Sequence, residues 1–224
     1  MPEKEILRVE GDVRATYAKL SRVYAAIEGR FEKKLRRRGL ELLNIQEGET
    51  VLEVGSGTGY ALVEIARAVG ETGRAYGVDV TPQMLALAQK RLDRKGLAER
   101  VELREGDARD MSYEDDKFDA VYMAATLELF DTPDIPIVLA EIKSVLKPGG
   151  RLGITSMTKE GHEDLVVFRC YEWMHRTFPR YASCRPIYVE DSVREAGFKI
   201  TRTEEMAIAG VFPMKIVIAR CISL

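Results

Sequence analysis

The chain has 224 residues, 46% of them hydrophobic and 31% charged, which is enough apolar material for one α/β domain with a sizeable core. Its 34 basic and 36 acidic side chains leave a net charge of −2, and that balance lacks the broad positive field of a non-specific nucleic-acid binder. Cys170, Cys184 and Cys221 are scattered, with no CxxC spacing for zinc and no disulfide framework. The opening residues Met1 to Glu5 carry no apolar stretch behind them, and no apolar run approaches the roughly 18 residues of a membrane span. A cytoplasmic protein is expected, with no secretory signal and no transmembrane segment.

From Asp12 to Leu43 two helices are expected. Val13, Tyr17, Leu20, Tyr24 and Ile27 recur at helical spacing, and Gly29 separates them from a second segment, Phe31 to Leu43. That second segment holds Lys33, Lys34, Arg36, Arg37 and Arg38, which read either as a solvated helix face or as a surface attracted to anionic lipid.

From residue 50 onward short apolar runs alternate with helical periods. Val51–Val54, Arg74–Val80, Val101–Arg104, Phe118–Met123 and Arg151–Ser156 are the expected strands. Helices are expected over Ala61–Val69, from Thr81-Pro82 to Lys95, and over Asp134–Leu146. Thr81 would cap the second of these, Gly96 would stop it, and Pro148-Gly149-Gly150 would end the third. This alternation implies βαβ units on a parallel sheet. In the tail, Glu163–Phe178 reads as an aromatic-rich helix, Tyr181–Tyr188 as a loop and Val189–Ala196 as a short helix. Phe198–Ile208 and Met214–Ile222 read as an antiparallel hairpin.

The strongest local signal is Val51-Leu52-Glu53-Val54-Gly55-Ser56-Gly57-Thr58-Gly59-Tyr60, an apolar strand feeding a glycine-rich turn that opens a helix. Side chains there would block both the tight turn and the approach of a ligand to the backbone. Asp79 follows twenty residues after Gly59, at the end of the second expected strand, where a carboxylate can accept both hydroxyl hydrogens of a ribose. Asp107, after the third strand, is an acceptor suited to the exocyclic amine of adenine.

The ordered series VLEVGSGTG, YGVDVTPQML, REGDARD, FDAVYMAATLELF and LKPGG resembles the motifs of class I S-adenosylmethionine-dependent methyltransferases over about residues 48–156. The resemblance implies an α/β, Rossmann-like, mostly parallel sheet with a C-terminal antiparallel hairpin, helices on both faces and an N-terminal helical cap. One domain is expected, made of a cap (1–46), a cofactor-binding core (47–157), a substrate-cap segment (158–197) and the hairpin (198–224). It further implies S-adenosyl-L-methionine as cofactor, with Glu53, Gly55, Ser56, Gly57 and Gly59 shaping its methionine end. Asp79 would hold the ribose, Val80 and Met84 would flank the adenine, and Asp107 and Ala108 would read the adenine amine. Ala124 would line the pocket near the reacting methyl, and Tyr17 or Tyr24 would fold over it. Met84 also fits plain core packing, and Tyr17 and Tyr24 lie on an apolar stripe, so both readings stand.

A finer likeness, carried by the Tyr17…Tyr24 helix and LELFDTPDIPIVLAEIKSVLKPGG, is to the methyltransferases of ubiquinone and menaquinone biosynthesis and their small-molecule relatives. It implies a small, hydrophobic acceptor such as a quinone precursor. A phospholipid head-group amine, with peripheral membrane contact, is the alternative. Met123-Ala124-Ala125-Thr126 lacks the Asn/Asp-Pro-Pro-aromatic motif of methylases of adenine or of glutamine amides. As a base, His175 or Tyr24 are candidates, and His162 reads as an exposed turn residue. A non-catalytic binder of the same cofactor, a nicotinamide-dependent oxidoreductase and an arsenite methylase using Cys170 and Cys184 are the remaining readings. The scarcity of asparagine, with Asn44 alone, resembles the bias of proteins from hot environments.

Overall fold

A computed structural model of the chain describes residues 33–163, 165, 168, 185–208 and 212–222. The first expected helix with Tyr17, Tyr24 and Gly29 lies outside the described residues, as does most of Glu163–Phe178 with Cys170 and His175. Helix α1 (Lys33–Leu43) leads into β1 (Thr50–Val54), α2 (Tyr60–Ala68), β2 (Arg74–Asp79), α3 (Pro82–Lys95), β3 (Val101–Glu105) and β4 (Phe118–Ala124). A short 3₁₀ turn over Leu127–Leu129 precedes α4 (Ile135–Val145), β5 (Leu146–Met157), α5 (Val189–Glu195), β6 (Phe198–Ile208) and β7 (Phe212–Cys221).

The seven strands form one sheet in the order β3-β2-β1-β4-β5-β7-β6. The first five run parallel, and β7 lies antiparallel between β5 and β6. Both faces are covered, as the near-continuous apolar strands require. Val51, Ala120, Tyr122, Ile216 and Ile218 face α1 and α2, while Leu52, Val121, Met123, Val217 and Ala219 face α4 and α5. The sheet reverses direction of winding at β1 and β4, and a crevice at the carboxyl ends of those strands is where such sheets bind ligands.

Helix α1 departs from the solvated basic face considered for it. Its buried residues are Leu35, Arg36, Gly39 and Leu43. A Cβ at Gly39 would lie 2.5 Å from Tyr122 Oη and 2.8 Å from Thr155 Cγ2, so glycine lets the helix backbone touch the sheet. The Tyr122 hydroxyl donates to the Arg36 carbonyl at 3.2 Å. Arg38 is occupied as well, donating to both oxygens of Glu204 on β6 at 2.8 Å each. Lys33, Lys34 and Arg37 remain exposed. Asn44, at φ 54°, takes the left-handed step after the helix, a conformation asparagine tolerates better than most residues.

Two boundaries differ from expectation. β5 begins at Leu146, not Arg151, because Leu146 pairs with Phe118 and the register then shifts before Arg151 pairs with Ala120. Pro148-Gly149-Gly150 are therefore the slack of a bulge inside the strand, with Gly149 at φ 76°. β7 begins two residues early, at Phe212, since Phe212 and Pro213 still pair with Ile208 and Ala207. Thr81 and Gly96 do flank α3, but the Thr81 side chain makes no cap hydrogen bond. Its amide is engaged instead, as described next.

Candidate functional site

β1 ends at Val54, and the chain turns away through Gly55, Gly57 and Gly59, at φ of 70°, 50° and 79°. The Gly55 and Ser56 amides both donate to the Val78 carbonyl, at 2.9 and 3.0 Å, which locks the turn to the end of β2. At Gly55 a side chain is excluded twice over, by the positive φ and because a Cβ would overlap the Thr126 side chain. The loop after β4 thus closes directly on the glycine turn.

Asp79, the last residue of β2, is the second anchor. One carboxylate oxygen accepts from the Gly57 amide and the other from the Thr81 amide, each at 2.8 Å. A carboxylate oxygen has two lone pairs, so each keeps one for a further donor such as a ribose hydroxyl. Burial pushes the Asp79 carboxyl up, and the Thr81 and Gly57 hydrogen bonds oppose that rise. Residue 79 thereby fixes both the turn and the start of α3.

The other expected residues fall around the same strand ends. Met84 is 3% exposed yet belongs to neither of the two large apolar clusters, while Ala108 sits in the one against α4. Val80, placed in the strand by the sequence, follows it and is half-buried, as is Ala124 at the end of β4. Glu53 is buried within β1. Asp107 is gripped by Arg109, whose Nε and Nη2 reach it at 3.0 and 2.6 Å while Nη1 reaches Asp134 at 2.8 Å. The carboxylate is thus oriented by a guanidinium. His162, read as an exposed turn residue, pairs its Nε2 with Glu205 at 2.8 Å. Tyr17, Tyr24 and His175 lie outside the described residues.

Three further charged residues are buried around these strand ends. Arg36 is 6% exposed, and its guanidinium carbon stands 5.0 Å from the ring centroid of Tyr60, the residue that follows the glycine turn. Arg91 covers the same ring at 3.5 Å and donates to the Thr58 hydroxyl at 2.8 Å. Arg36 Nε and the Ser56 hydroxyl are buried without a hydrogen-bond partner, a costly state that a polar ligand would relieve. A ligand with a carboxylate at one end and a ribose diol at the other fits that donor set and Asp79.

The second residue is Glu128, fully buried on the 3₁₀ turn after β4. Its carboxylate accepts from the Ser156 hydroxyl at 2.8 Å and the Met157 amide at 3.3 Å, tying the loop to the end of β5. Burial pushes the carboxyl up to about 7 against those hydrogen bonds and the nearby Arg185 charge. The loop is also strained, since Ala125 holds φ 50° while its amide donates to the Thr155 carbonyl at 2.8 Å. Arg185 is the third, 4% exposed, with Nη2 donating to the Phe130 carbonyl at 2.5 Å and Nε without a partner. Among the described residues no group of histidine, cysteine and carboxylate side chains could hold a metal ion, and no helix is long and apolar enough to cross a membrane.

The sheet order, with the glycine turn after β1 at the switch point and Asp79 at the end of the neighbouring β2, is the arrangement of a doubly wound α/β fold, where such folds bind nucleotide-type cofactors. Residues 51–150 match the family model described as a methyltransferase domain. The demethylmenaquinone methyltransferase of Geobacillus stearothermophilus is 32% identical over 167 residues, 75% of this chain and 68% of that one. That of Lactobacillus johnsonii is 31% identical over 70% of this chain, and the match spans 62% of the relative's length. Among solved structures, the [4+2]-cyclase SpnF superposes with a TM-score of 0.77 at 21% identity, covering 98% of both chains. The chain belongs to the class I S-adenosylmethionine-dependent methyltransferases.

Proposed function

We propose that this protein transfers a methyl group from S-adenosylmethionine to a quinone-type ring acceptor. The observation that carries the reading is the glycine turn fastened to Asp79 and flanked by two unpartnered buried donors, Arg36 Nε and Ser56 Oγ. When bound, S-adenosylmethionine supplies an electrophilic methyl on a sulfonium. Arg36 and Ser56 would take its α-carboxylate end, with the glycines leaving room for the chain. The free lone pairs of Asp79 would take the ribose diol, Val80 and Met84 would flank the adenine, and Asp107 with Ala108 would meet its amine. Ala124, small and half-buried at the end of β4, leaves space where an acceptor must approach. Holding both reactants in line and excluding water is the protein's main contribution, and positioning of this kind supplies roughly 7–11 kcal/mol in favourable cases.

The quinone-type acceptor is supported by the demethylmenaquinone methyltransferases that the chain resembles. A head-group amine drew its support from the basic run of α1. Of those five cations Arg36 is buried and Arg38 is paired with Glu204, so that support weakens. Family membership sets the nicotinamide-dependent oxidoreductase aside. The fold by itself does not carry methyl transfer, since SpnF is a cyclase on the same architecture.

The test is in two parts. Calorimetric titration with S-adenosylhomocysteine measures the site, and Arg36→Gln is expected to weaken it by about tenfold or more, the loss of one charge-assisted pair. Methyl-labelled S-adenosylmethionine with a short-chain demethylmenaquinol then measures transfer. Binding without label in that quinol or in any other acceptor would leave the non-catalytic reading standing.

A further inference from the structure

The methyltransferase site leaves one buried cation unexplained. A guanidinium has five N–H donors. Arg185 is 4% exposed, yet among the described residues it makes a single hydrogen bond, from Nη2 to the Phe130 carbonyl at 2.5 Å, and its Nε is buried without a partner. Burial also drives its pKa down, with only Asp131 and Glu128 opposing. Neither acid is hydrogen-bonded to it, and the Glu128 oxygens accept from Ser156 and Met157 instead. A charge this poorly compensated is unfavourable in the protein alone, so its position suits a ligand that brings an anion.

Its location says which ligand. Ile187 donates its amide to the Met157 carbonyl at 3.1 Å and accepts from the Lys159 amide at 3.0 Å, so residues 185–188 are clamped to the carboxyl end of β5. Arg185 in turn grips the far end of the loop whose near end, Thr126, packs on Gly55. Between them lies the 3₁₀ turn over Leu127–Leu129, and the loop starts right after Ala124, the last residue of β4, where the acceptor approaches. The cation therefore stands on the acceptor side of the glycine turn.

We infer that Arg185 selects the acceptor, pairing with an anionic oxygen borne directly on its ring, a phenolate or enolate. This rests on the methyl-transfer reading above. Such an oxygen raises the electron density of the ring carbon beside it, and a guanidinium holds the anion without taking its negative charge away. A neutral or cationic amine acceptor gains nothing from this cation.

The test uses the full chain saturated with S-adenosylhomocysteine and three probes. They are 2-hydroxy-1,4-naphthoquinone, which is an enolate at neutral pH, its methyl ether, and dodecyl phosphate. The wild-type protein is expected to bind the enolate about ten- to a hundredfold more tightly than the ether, the range for hydrogen bonds to a charged group. Arg185→Gln removes that ratio, and Arg185→Lys retains part of it. S-adenosylhomocysteine affinity is expected to stay within about twofold in both variants, showing that each is folded and that the cofactor reading holds separately. An enolate-to-ether ratio near one in the wild type, or one that survives Arg185→Gln, overturns the inference. So does arginine-dependent binding confined to dodecyl phosphate, which would make the anion a phosphate. If the protein fails to bind S-adenosylhomocysteine at all, the methyl-transfer reading falls with it.

Discussion

Replacing Glu128 with glutamine removes a carboxylate that the fold holds fully buried after β4 while keeping its shape. In the folded protein the carboxyl titrates near 7, against 4.5 for an ordinary glutamate. The folded state therefore holds this proton more tightly than the unfolded chain. Stability from this group is fully present below about pH 4.5 and is lost as pH rises toward 7. At roughly 1.4 kcal/mol per unit of displacement, the loss amounts to about 3 kcal/mol by pH 8. Glu128→Gln has no such proton to lose. Its carbonyl still accepts from the Met157 amide, and its amide donates to Ser156, whose hydroxyl can turn to accept. The exchange adds an offset that does not depend on pH. Urea unfolding of both proteins at several pH values between 4.5 and 8 isolates the effect. The stability of the variant relative to the wild type is expected to climb by about 3 kcal/mol across that window, equivalent to roughly 6–12 °C in Tm. A difference that stays flat with pH would refute the reasoning, because it would mean that Glu128 titrates alike folded and unfolded.

Asp119 should behave in the opposite sense. Burial would raise its carboxyl, but Lys147 Nζ at 2.7 Å and the Thr50 amide at 2.9 Å hold it below the usual value. Its contribution is present above the unfolded carboxyl pKa and disappears as pH falls through the lower folded one. In acid titrations followed by circular dichroism, Asp119→Asn is expected to be less stable than the wild type near neutrality and to converge with it at low pH. A constant gap would contradict this. Gly55→Ala forces a left-handed φ on alanine, worth about 1–2 kcal/mol, and drives a methyl into Thr126. Loss of S-adenosylhomocysteine binding at least tenfold is expected by calorimetry. Adding Thr126→Ala, which removes both of the closest overlapping atoms, should recover part of it, and no recovery would show that the overlap is not the cause.

The order of strands and helices from β1 to β5, the glycine turn, Asp79 and the terminal hairpin were all legible in the sequence. Each is written locally. A period of two or 3.6 in the apolar residues, a proline after threonine and glycines where φ must be positive act within a few residues of where they stand. Even the slip at Leu146 is local in kind, since Pro148-Gly149-Gly150 marks an irregularity, and only the pairing with Phe118 decides whether it ends a helix or bulges a strand.

Burial of charge was decided elsewhere. In the sequence Arg36 is the third of five closely spaced cations, indistinguishable from its neighbours. Gly39 against Tyr122 and Thr155 fixes which face of α1 docks, and that contact turns Arg36 inward over Tyr60 and leaves Arg37 in water. Glu128 in Leu127-Glu128-Leu129 reads as a solvent acid until Ser156 and Met157 arrive from β5. Arg185 reads as a loop residue until Ile187 pairs beside Thr158 and carries it to the strand ends. The sequence by itself determined the sheet and its cofactor turn, because hydrophobic period and backbone conformation are local properties. Only the tertiary structure decided which charges lose their water, because desolvation is imposed by residues that are distant along the chain and adjacent only once it has folded.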